Sequence, residues 1–435
     1  MIRSLASVLA LATVFGLGTL DAQDRPRAFR GAHIIPIAGP EIPNGVLVVQ
    51  GGRITAVGAA GSVTIPSGAE VIDATGKVIM PGLVDTHSHL GGGDGGDRSS
   101  SIHPDVRIID AMNAQDPGFQ RARAGGLTTV NVMPGSGLLS SGQTAYIKLK
   151  QGRIITDLLY CNDVLKEICG GLKMANGTNP RGTPPAPGTR AKAAAMVRAK
   201  FIAAQEYRAK IRAAGTDSTK LPRRDLELET LSEVLDGRRM VHFHTHRHDD
   251  ILTVLRLKQE FGFRVVLQHV SEGWKVAKEI AEAKVASSVI MIDAPGGKLE
   301  AVGLSLRTPF AIDSAGGLVG FHTDDGITDS RFFLRSGGLA VRAGMSRAKA
   351  LHALTLAGAV MMDLDKRIGS LERGKDADFI ILSGDPLSVY THVEQTWVLG
   401  EKVFDLSDPK DRVFAYGGRG SSSEGIFLHH DEDHD

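Results

Sequence analysis

The sequence has little of several residue types, and each shortage argues against a class of protein. Only 2 of its 435 residues are cysteine, so no disulfide framework is implied. Aromatic residues make up 5% of the chain, fewer than a sandwich with an aromatic core would use. The formal net charge of +1 argues against a nucleic acid or an anionic membrane as the main partner. No GxGxxG segment follows an early strand-like run, which weakens a dinucleotide-binding interpretation.

The sequence has one long apolar run, and it lies at the N-terminus. Arg3 precedes this run and the small residue Ala22 follows it, an order typical of a secretory signal peptide. A retained membrane anchor is the alternative, although the run is slightly short for a full span and contains glycine. We expect cleavage of residues 1–22 near Ala22 and export to the periplasm or medium, without stable membrane insertion. Cys161 and Cys169 could then pair or remain two packed thiols.

Both ends of the chain are rich in short strand-like runs, whereas the middle alternates strands with helices. Segments 24–82 and 365–416 have turn signals between β-rich runs and predict two halves of one small β-sandwich domain. Residues 83–364 repeat strand–helix units, which favours an α/β fold with a (β/α)8 TIM barrel over an open doubly wound sheet. Within that segment, one helix is predicted over residues 346–362. Residues 417–435 predict a flexible tail.

Polar side chains recur where apolar strands end. In the stretch LVDTHSHLGGG, His87 and His89 point the same way because side chains alternate along a strand. An isolated pair of this kind is more often structural than functional, but His244, His269 and Asp324 also lie near the ends of apolar strands. In a barrel that edge carries the active site. Imidazoles with a carboxylate form a ligand set for Zn²⁺ or a similar divalent ion.

This ordered set resembles the amidohydrolase superfamily, with DTHSH on the first barrel strand, histidines on the fifth and sixth, and aspartate on the eighth. The stretches VIMPGLVDTHSHL and KRIGSLERGKDADFIIL resemble the domain junctions of that superfamily. LKMANGTNP and VHFHTHRHDDI more narrowly resemble its imidazolonepropionase-related, prolidase-like branch. The resemblance covers nearly everything after the expected signal peptide. It implies a TIM barrel with a small β-sandwich domain and a small-molecule substrate, and it leaves open whether the chain forms a homo-oligomer.

The resemblance also implies roles for matching residues. His87 and His89 match the metal-binding pair of the first strand, His244 and His269 match the later histidine ligands, and Asp324 matches the eighth-strand aspartate. The cofactor would be one or two divalent ions, with Zn²⁺ as the natural occupant.

Three other residues are candidates for the same site. Lys173 matches a fourth-strand lysine that is N6-carboxylated in many members, and the resulting carbamate can bridge two ions. An unmodified lysine in the pocket wall is the alternative, because a protonated amine is a poor ligand. His246, nearer the mouth, and Gln143, along the barrel wall, are predicted substrate contacts. His242, deeper in the strand, is predicted to be a core imidazole.

The implied reaction is hydrolysis of a C–N bond in an amide, a peptide or a cyclic amide. The substrate would be a dipeptide or an N-acyl amino acid, so the enzyme would act on C–N bonds other than peptide bonds or be a dipeptidase. A divalent ion would activate water, and Asp324 would act as base and proton shuttle. Lactone or ester hydrolysis stays open, as does a catalytically silent metal-binding protein. Deamination is disfavoured because Arg247 stands where a glutamate is usual, three residues after His244.

Overall fold

The computed structural model of the protein describes residues 25–93, 95–292 and 299–417. The expected signal peptide and residues 418–435 of the expected tail lie outside these ranges. Within the ranges, no helix is long and apolar enough to cross a membrane. A disulfide joins Cys161 to Cys169. The sequence left open whether these cysteines pair, and in the structure they do.

The described strands lie in three sheets. The first sheet takes strands from both ends of the chain, and the other two are built from its middle. The strands are β1 (Arg27–Ile34), β2 (Ile42–Gln50), β3 (Arg53–Ala59), β4 (Glu70–Asp73), β5 (Val78–Pro81), β6 (Leu83–Ser88), β7 (Leu127–Val132), β8 (Ser140–Gln143), β9 (Ala145–Lys148), β10 (Leu172–Ala175), β11 (Val241–Thr245), β12 (Val265–His269), β13 (Ala286–Val289), β14 (Val319–Phe321), β15 (Phe379–Leu382), β16 (Val393–Val398) and β17 (Glu401–Asp405).

Most helices connect strands of the middle segment, and short 3-10 turns lie between them. The longest described helix begins after Thr189, whose side chain caps it by accepting a hydrogen bond from the amide of Lys192. The helices are α1 (Pro117–Ala124), α2 (Ile155–Leu158), α3 (Arg190–Ala214), α4 (Leu226–Leu235), α5 (His248–Phe261), α6 (Ala277–Glu282), α7 (Thr308–Ser314), α8 (Phe333–Arg342), α9 (Arg347–Ala353), α10 (Leu356–Met361) and α11 (Pro409–Tyr416).

The eight-stranded sheet joins the two ends of the chain. Its order is β17-β16-β15-β5-β1-β2-β3, with β4 beside β1. One face is apolar, and the rings of Phe29 and Phe379 meet there with centroids 4.9 Å apart. Arg27 donates a hydrogen bond of 2.6 Å to the carbonyl of Gly400, which is 373 positions away. The sheet is therefore complete only when both ends of the chain are present.

The other two sheets present the carboxyl ends of parallel strands along shared edges. The six-stranded sheet has the order β14-β13-β12-β11-β10-β8 and is parallel from β14 to β10. The three-stranded sheet has the order β6-β7-β9, with β6 and β7 parallel. Most of these strands are buried along their whole length, as expected for strands covered on both faces. The fold is therefore α/β with mixed sheets.

The predicted single helix over residues 346–362 is wrong, because the structure has two helices, α9 and α10, with a break between them. Thr355 has φ −135° and ψ −90°, outside the helical region. The carbonyl of Leu354 accepts a hydrogen bond of 3.0 Å from the amide of Val84 in β6. The break thus satisfies a buried strand amide that an unbroken helix would leave without this partner.

A buried ionic network connects β9 to the segment that precedes β15. Lys148 Nζ lies 2.8 Å from Asp376 Oδ2 and 2.5 Å from Asp378 Oδ2, and all three side chains are at most 3% exposed. Arg53 and Arg367 also form ion pairs with Asp376. Two buried carboxylates therefore depend on one buried ammonium group for much of their compensation.

Candidate metal centre

Three potential ligand atoms meet where β6 and β14 end. His87 Nε2 lies 3.3 Å from His89 Nε2 and 3.3 Å from Asp324 Oδ1. His89 Nε2 lies 2.9 Å from the same Asp324 oxygen. Ligand atoms about 2.0–2.1 Å from a tetrahedral ion are about 3.3–3.4 Å apart, so this triangle has the dimensions of one face of such a site.

Backbone contacts orient these ligand atoms. His89 Nδ1 lies 2.8 Å from the carbonyl oxygen of Met133, which can only accept, so Nδ1 carries the proton and Nε2 presents a lone pair. The amide of Asp324 donates a hydrogen bond of 2.9 Å to the carbonyl of His87. Asp324 has φ +51°, a left-handed conformation that is uncommon for residues other than glycine and is often found at functional sites.

Asp85 links the two strands that carry this triangle. Its Oδ1 accepts hydrogen bonds of 3.1 Å from the amides of His87 and Thr323, and its Oδ2 accepts one of 2.5 Å from the Thr323 hydroxyl. Asp85 is fully buried, and this burial raises the pKa of its carboxyl to about 7. Asp85 therefore fixes the distance between His87 and the residue that precedes Asp324.

Replacing Asp85 by alanine should weaken Zn²⁺ binding by about 10–100-fold, the usual cost of removing a group that orients a ligand. Three donors lose their acceptor, and the relative position of His87 and Asp324 is no longer fixed. Competition with a chromophoric chelator measures the affinity. Asp85→Asn keeps a side-chain oxygen and should recover most of it. Unchanged affinity in the alanine variant would show that Asp85 does not position the ligands.

A second group of imidazoles adjoins the first. His244, His246 and His269 each offer one ring nitrogen, and these nitrogens lie within 4.8 Å of one another. His246 Nδ1 lies 2.7 Å from Ser271 Oγ, and the His246 ring stacks on His269 with centroids 4.6 Å apart. Asp324 joins the two groups, because its Oδ2 lies 3.8 Å from His269 Nδ1. The structure thus brings together five predicted ligands and His246.

Lys173 lies on the side of the first triangle. Its Nζ is 3.0 Å from His87 Nε2 and 3.2 Å from Met133 Sδ, and the residue is fully buried. Its register partner His242 lies deeper, with ring nitrogens 3.0 Å from Tyr146 Oη and 3.0 Å from Gln268 Nε2. His242 therefore has the contacts of a core imidazole.

The structure does not bring Gln143 to the cluster. Gln143 pairs with Leu172 across the β8–β10 ladder. Its side chain therefore lies on the same face of the sheet as that of Leu172, which is opposite to the face of Lys173. Its amide donates to Thr230 Oγ1 at 3.0 Å and to the carbonyl of Pro104 at 3.3 Å. Gln143 thus faces α4, and this position gives no support to substrate contact.

Sequence reasoning missed two residues of the cluster. His322 Nε2 lies 3.1 Å from His269 Nδ1, and the His322 ring stacks on that of His87 with centroids 4.9 Å apart. It precedes Asp324 by two positions, so the alternation that paired His87 with His89 could have found it. Glu300 Oε1 lies 3.2 Å from His244 Nε2. Glu300 belongs to a short 3-10 turn, Leu299–Ala301, and no sequence motif marks it.

Burial favours the neutral form of four of the imidazoles. It lowers the pKa of His322 and of His242 to about 3, and it lowers the pKa of His87 and of His269 well below the usual value. Neutral imidazole is the form that binds metals. Among the described residues, the buried Nε2 of His269 has no hydrogen-bond partner, although an imidazole nitrogen in a core normally has one. The residues present therefore fit a divalent ion.

Glu300 is ionised beside these rings. Burial alone would raise the pKa of its carboxyl, but the hydrogen bond and charge of His244, together with the charge of His246, hold that pKa well below its usual range. The cluster thus combines imidazoles with carboxylates, which is a donor set that can bind a divalent ion.

A parallel-strand edge lined with histidines and carboxylates is typical of hydrolases that have a metal site. The family model for amidohydrolases matches residues 185–404 of the chain. The chain therefore belongs to the amidohydrolase family. The resemblance read from the sequence is thereby confirmed at the level of the superfamily.

Individual proteins in this family show how far the similarity extends. The chain is 27% identical over 410 residues to amidohydrolase tasK of Hapsidospora irregularis, covering 85% of this chain but only 41% of that protein. It is 31% identical over 177 residues to the imidazolonepropionase of Rhizobium rhizogenes, covering 33% of this chain and 44% of that protein. An amidohydrolase structure from Thermotoga maritima MSB8 has 32% identity and a TM-score of 0.80, covering 87% of this chain and 99% of that one.

Proposed function

We propose that the protein is a metal-dependent amidohydrolase that cleaves a C–N bond in a small amide, peptide or cyclic amide. The observation that carries this proposal is the triangle of His87 Nε2, His89 Nε2 and Asp324 Oδ1, with edges of 2.9–3.3 Å. Membership of the amidohydrolase family supports it.

The residues present would hold a divalent ion and handle the protons of hydrolysis. His87, His89, His244, His269 and Asp324 would hold one or two such ions, with Zn²⁺ as the proposed species. A bound ion supplies Lewis-acid chemistry, which acidifies water and polarises a carbonyl.

Asp324 is the proposed proton shuttle. With Oδ1 in the triangle, its Oδ2 takes the proton of the attacking water and passes it to the leaving nitrogen. Burial of the rings around it excludes bulk water, and Asp324 itself is only 9% exposed, so the proton stays at the carboxylate.

Lys173 is the proposed bridge between two ions. Its Nζ lies 3.0 Å from His87 Nε2, and carboxylation would replace an ammonium group next to a cation site by an anionic oxygen ligand. His246 remains the proposed substrate contact, since it follows the last residue of β11.

The (β/α)8 barrel is the proposed architecture of the middle segment. Contacts between the two middle sheets support closure, because the amide of Asp324 donates to the carbonyl of His87 and the hydroxyl of Thr86 donates to the carbonyl of Phe321. Both contacts join the β6 edge to the β14 edge. Export of the mature chain is also proposed, and the disulfide between Cys161 and Cys169 supports an oxidising compartment.

The proposed substrates are dipeptides, N-acyl amino acids and cyclic amides. One relative is an imidazolonepropionase, and this name indicates a cyclic substrate. Cyclic amides therefore stay among the proposed substrates. Deamination is less supported, because the guanidinium of Arg247, which stands in the position of the expected glutamate, pairs with Asp249 at 2.9 Å.

Removal of metal should abolish hydrolysis, and Zn²⁺ should restore it. We expect purified protein to contain at least one equivalent of a divalent ion, and a panel of dipeptides, N-acyl amino acids, cyclic amides and esters to reveal amide cleavage that is lost after treatment with a chelator. Elemental analysis measures the metal, and release of amine or ammonia distinguishes hydrolysis from deamination.

Two histidine variants test whether the metal is bound at the proposed site. His87→Ala should lose bound metal, whereas His33→Ala, at a partly exposed contact of 2.7 Å with Glu41, should keep it. Bound zinc without activity on any amide or ester would favour a catalytically silent metal-binding protein. Full activity of metal-free protein would disprove the proposed function.

A further inference from the structure

An apolar groove lies between helix α8, the segment that precedes β16 and the end of helix α11. Its volume is about 580 Å³, within the range of pockets that bind a small molecule, so it has room for a few side chains. Phe332, Val389 and Tyr416 line it and are 49%, 87% and 63% exposed. Exposed apolar side chains gathered in one groove mark a surface that binds something, whereas scattered ones do not.

Three arginines border this groove, namely Arg331, Arg335 and Arg342. Arg331 forms an ion pair with Asp329. Neither Arg335 nor Arg342 has a carboxylate partner among the residues that the structure describes. The guanidinium carbon of Arg335 lies 5.3 Å from the centroid of the Phe332 ring, so positive charge adjoins the apolar lining. The groove therefore fits an occupant that is apolar in one part and acidic in another.

The chain itself has such a segment beyond its described residues. Residues 426–428 read IFL, and residues 431–435 read DEDHD. The structure describes the chain as far as Gly417, which follows Tyr416 of the groove, and a Cβ at this glycine would lie 3.2 Å from Arg331 Nη1. The chain thus leaves the described fold at the border of the groove. Residues 418–425 connect this point to Ile426 and reach up to about 30 Å at full extension, enough to place the apolar triplet anywhere along it.

We propose that residues 426–435 bind this groove on their own chain. Ile426, Phe427 and Leu428 would occupy the apolar part, and the carboxylates that follow them would pair with Arg335 and Arg342. Burial of the three apolar side chains offsets the entropy that the segment loses on becoming ordered, and the charge pairs fix its direction along the groove. This inference goes beyond the proposed function and does not depend on a bound ion.

The test places a photoreactive benzoylphenylalanine at position 427 of the otherwise unchanged full-length protein. Irradiation should crosslink this side chain to residues 331–342 or 386–393 of the same chain, because both segments line the groove. Mass spectrometry of the digested product locates the crosslink. Denaturing gel electrophoresis shows whether the product is a monomer, and the monomer should account for it at every protein concentration.

Charge reversal then tests the arginines in the crosslinking protein. Arg335→Glu combined with Arg342→Glu should lower the crosslink yield at least about threefold, because attractive charge pairs become repulsive. Arg256→Glu is the matched control, since it reverses an equally exposed helical arginine that belongs to α5 and lies outside the groove lining. This control should leave the yield unchanged.

A second reversal separates lost attraction from lost folding. Asp431→Lys, Glu432→Lys and Asp433→Lys together should lower the yield in a protein with native arginines. The same three changes should restore the yield when they are combined with Arg335→Glu and Arg342→Glu, because the charges are again opposite. A groove that had unfolded would not recover in this way.

Each remaining outcome would overturn the proposal. Crosslinks to the same groove segments that join two chains, with a yield that rises with protein concentration, would show that a second copy of the protein is the occupant. Crosslinks that lie only outside the groove, or none at all, would show that residues 426–435 do not bind there. A yield that the arginine reversal leaves unchanged would contradict the charge pairing. None of these results bears on the proposed function, which is tested by metal content and amide cleavage.

Discussion

Asp324→Asn should lower kcat by about 10²–10⁴-fold on the amide that the substrate panel identifies, the range expected for loss of a general base. The amide retains an oxygen that can occupy the place of Oδ1, 2.9 Å from His89 Nε2, but it cannot accept the proton of the attacking water. Metal content should largely persist, because the four histidine ligands remain. Steady-state kinetics and elemental analysis of the same preparation check both halves of this result.

Asp363→Asn is the control for this substitution. Asp363 is an exposed carboxylate that pairs with Arg264, and its change should leave kcat within about twofold. If Asp324→Asn kept nearly full activity with metal bound, another group would be the proton shuttle.

Lys148→Met should lower the free energy of unfolding by about 3–5 kcal/mol, the cost of breaking a buried ion pair by removal of one partner. Methionine fills much of the space of the lysine stem, but it leaves the buried carboxyl groups of Asp376 and Asp378 without the ammonium group between them. Arg53 and Arg367 compensate Asp376 only. Urea unfolding followed by circular dichroism measures the loss.

Lys278→Met tests the opposite situation. Lys278 is 81% exposed in its side chain, and its Nζ lies 3.7 Å from Glu282. Its replacement should change stability by less than about 0.5 kcal/mol. Equal effects of the two substitutions would contradict the importance assigned to the buried network.

The ends of the parallel strands were readable from the sequence because the rule that governs them is local. Alternation along a strand places His87 and His89 on one face, and an apolar run that ends in a polar residue marks the edge of a parallel sheet. The structure brings these residues together with His244, His269 and Asp324 for that reason. The short strands at both chain ends were also predicted from local sequence patterns.

Features that depend on distant partners were not readable. Glu300 enters the cluster through a hydrogen bond to Thr178, 122 positions away, and neither segment carries a pattern that announces the contact. The break at Leu354 exists because Val84 needs a hydrogen-bond acceptor, while helix propensity alone favours continuity across it. The prediction that Gln143 contacts substrate rests on the barrel wall of similar proteins, whereas its register against Leu172 decides which face it occupies.

The contact between Arg27 and Gly400 has a consequence for how the protein folds during its synthesis. Strands β1 to β5 are made before β15 and β16, so their apolar face meets Phe379 and Trp397 only after the whole middle segment has been made. The apolar face of β1 to β5 stays exposed until β15 to β17 have been made. Folding of this protein should therefore be slow and should benefit from a holding chaperone until β15 to β17 have been made.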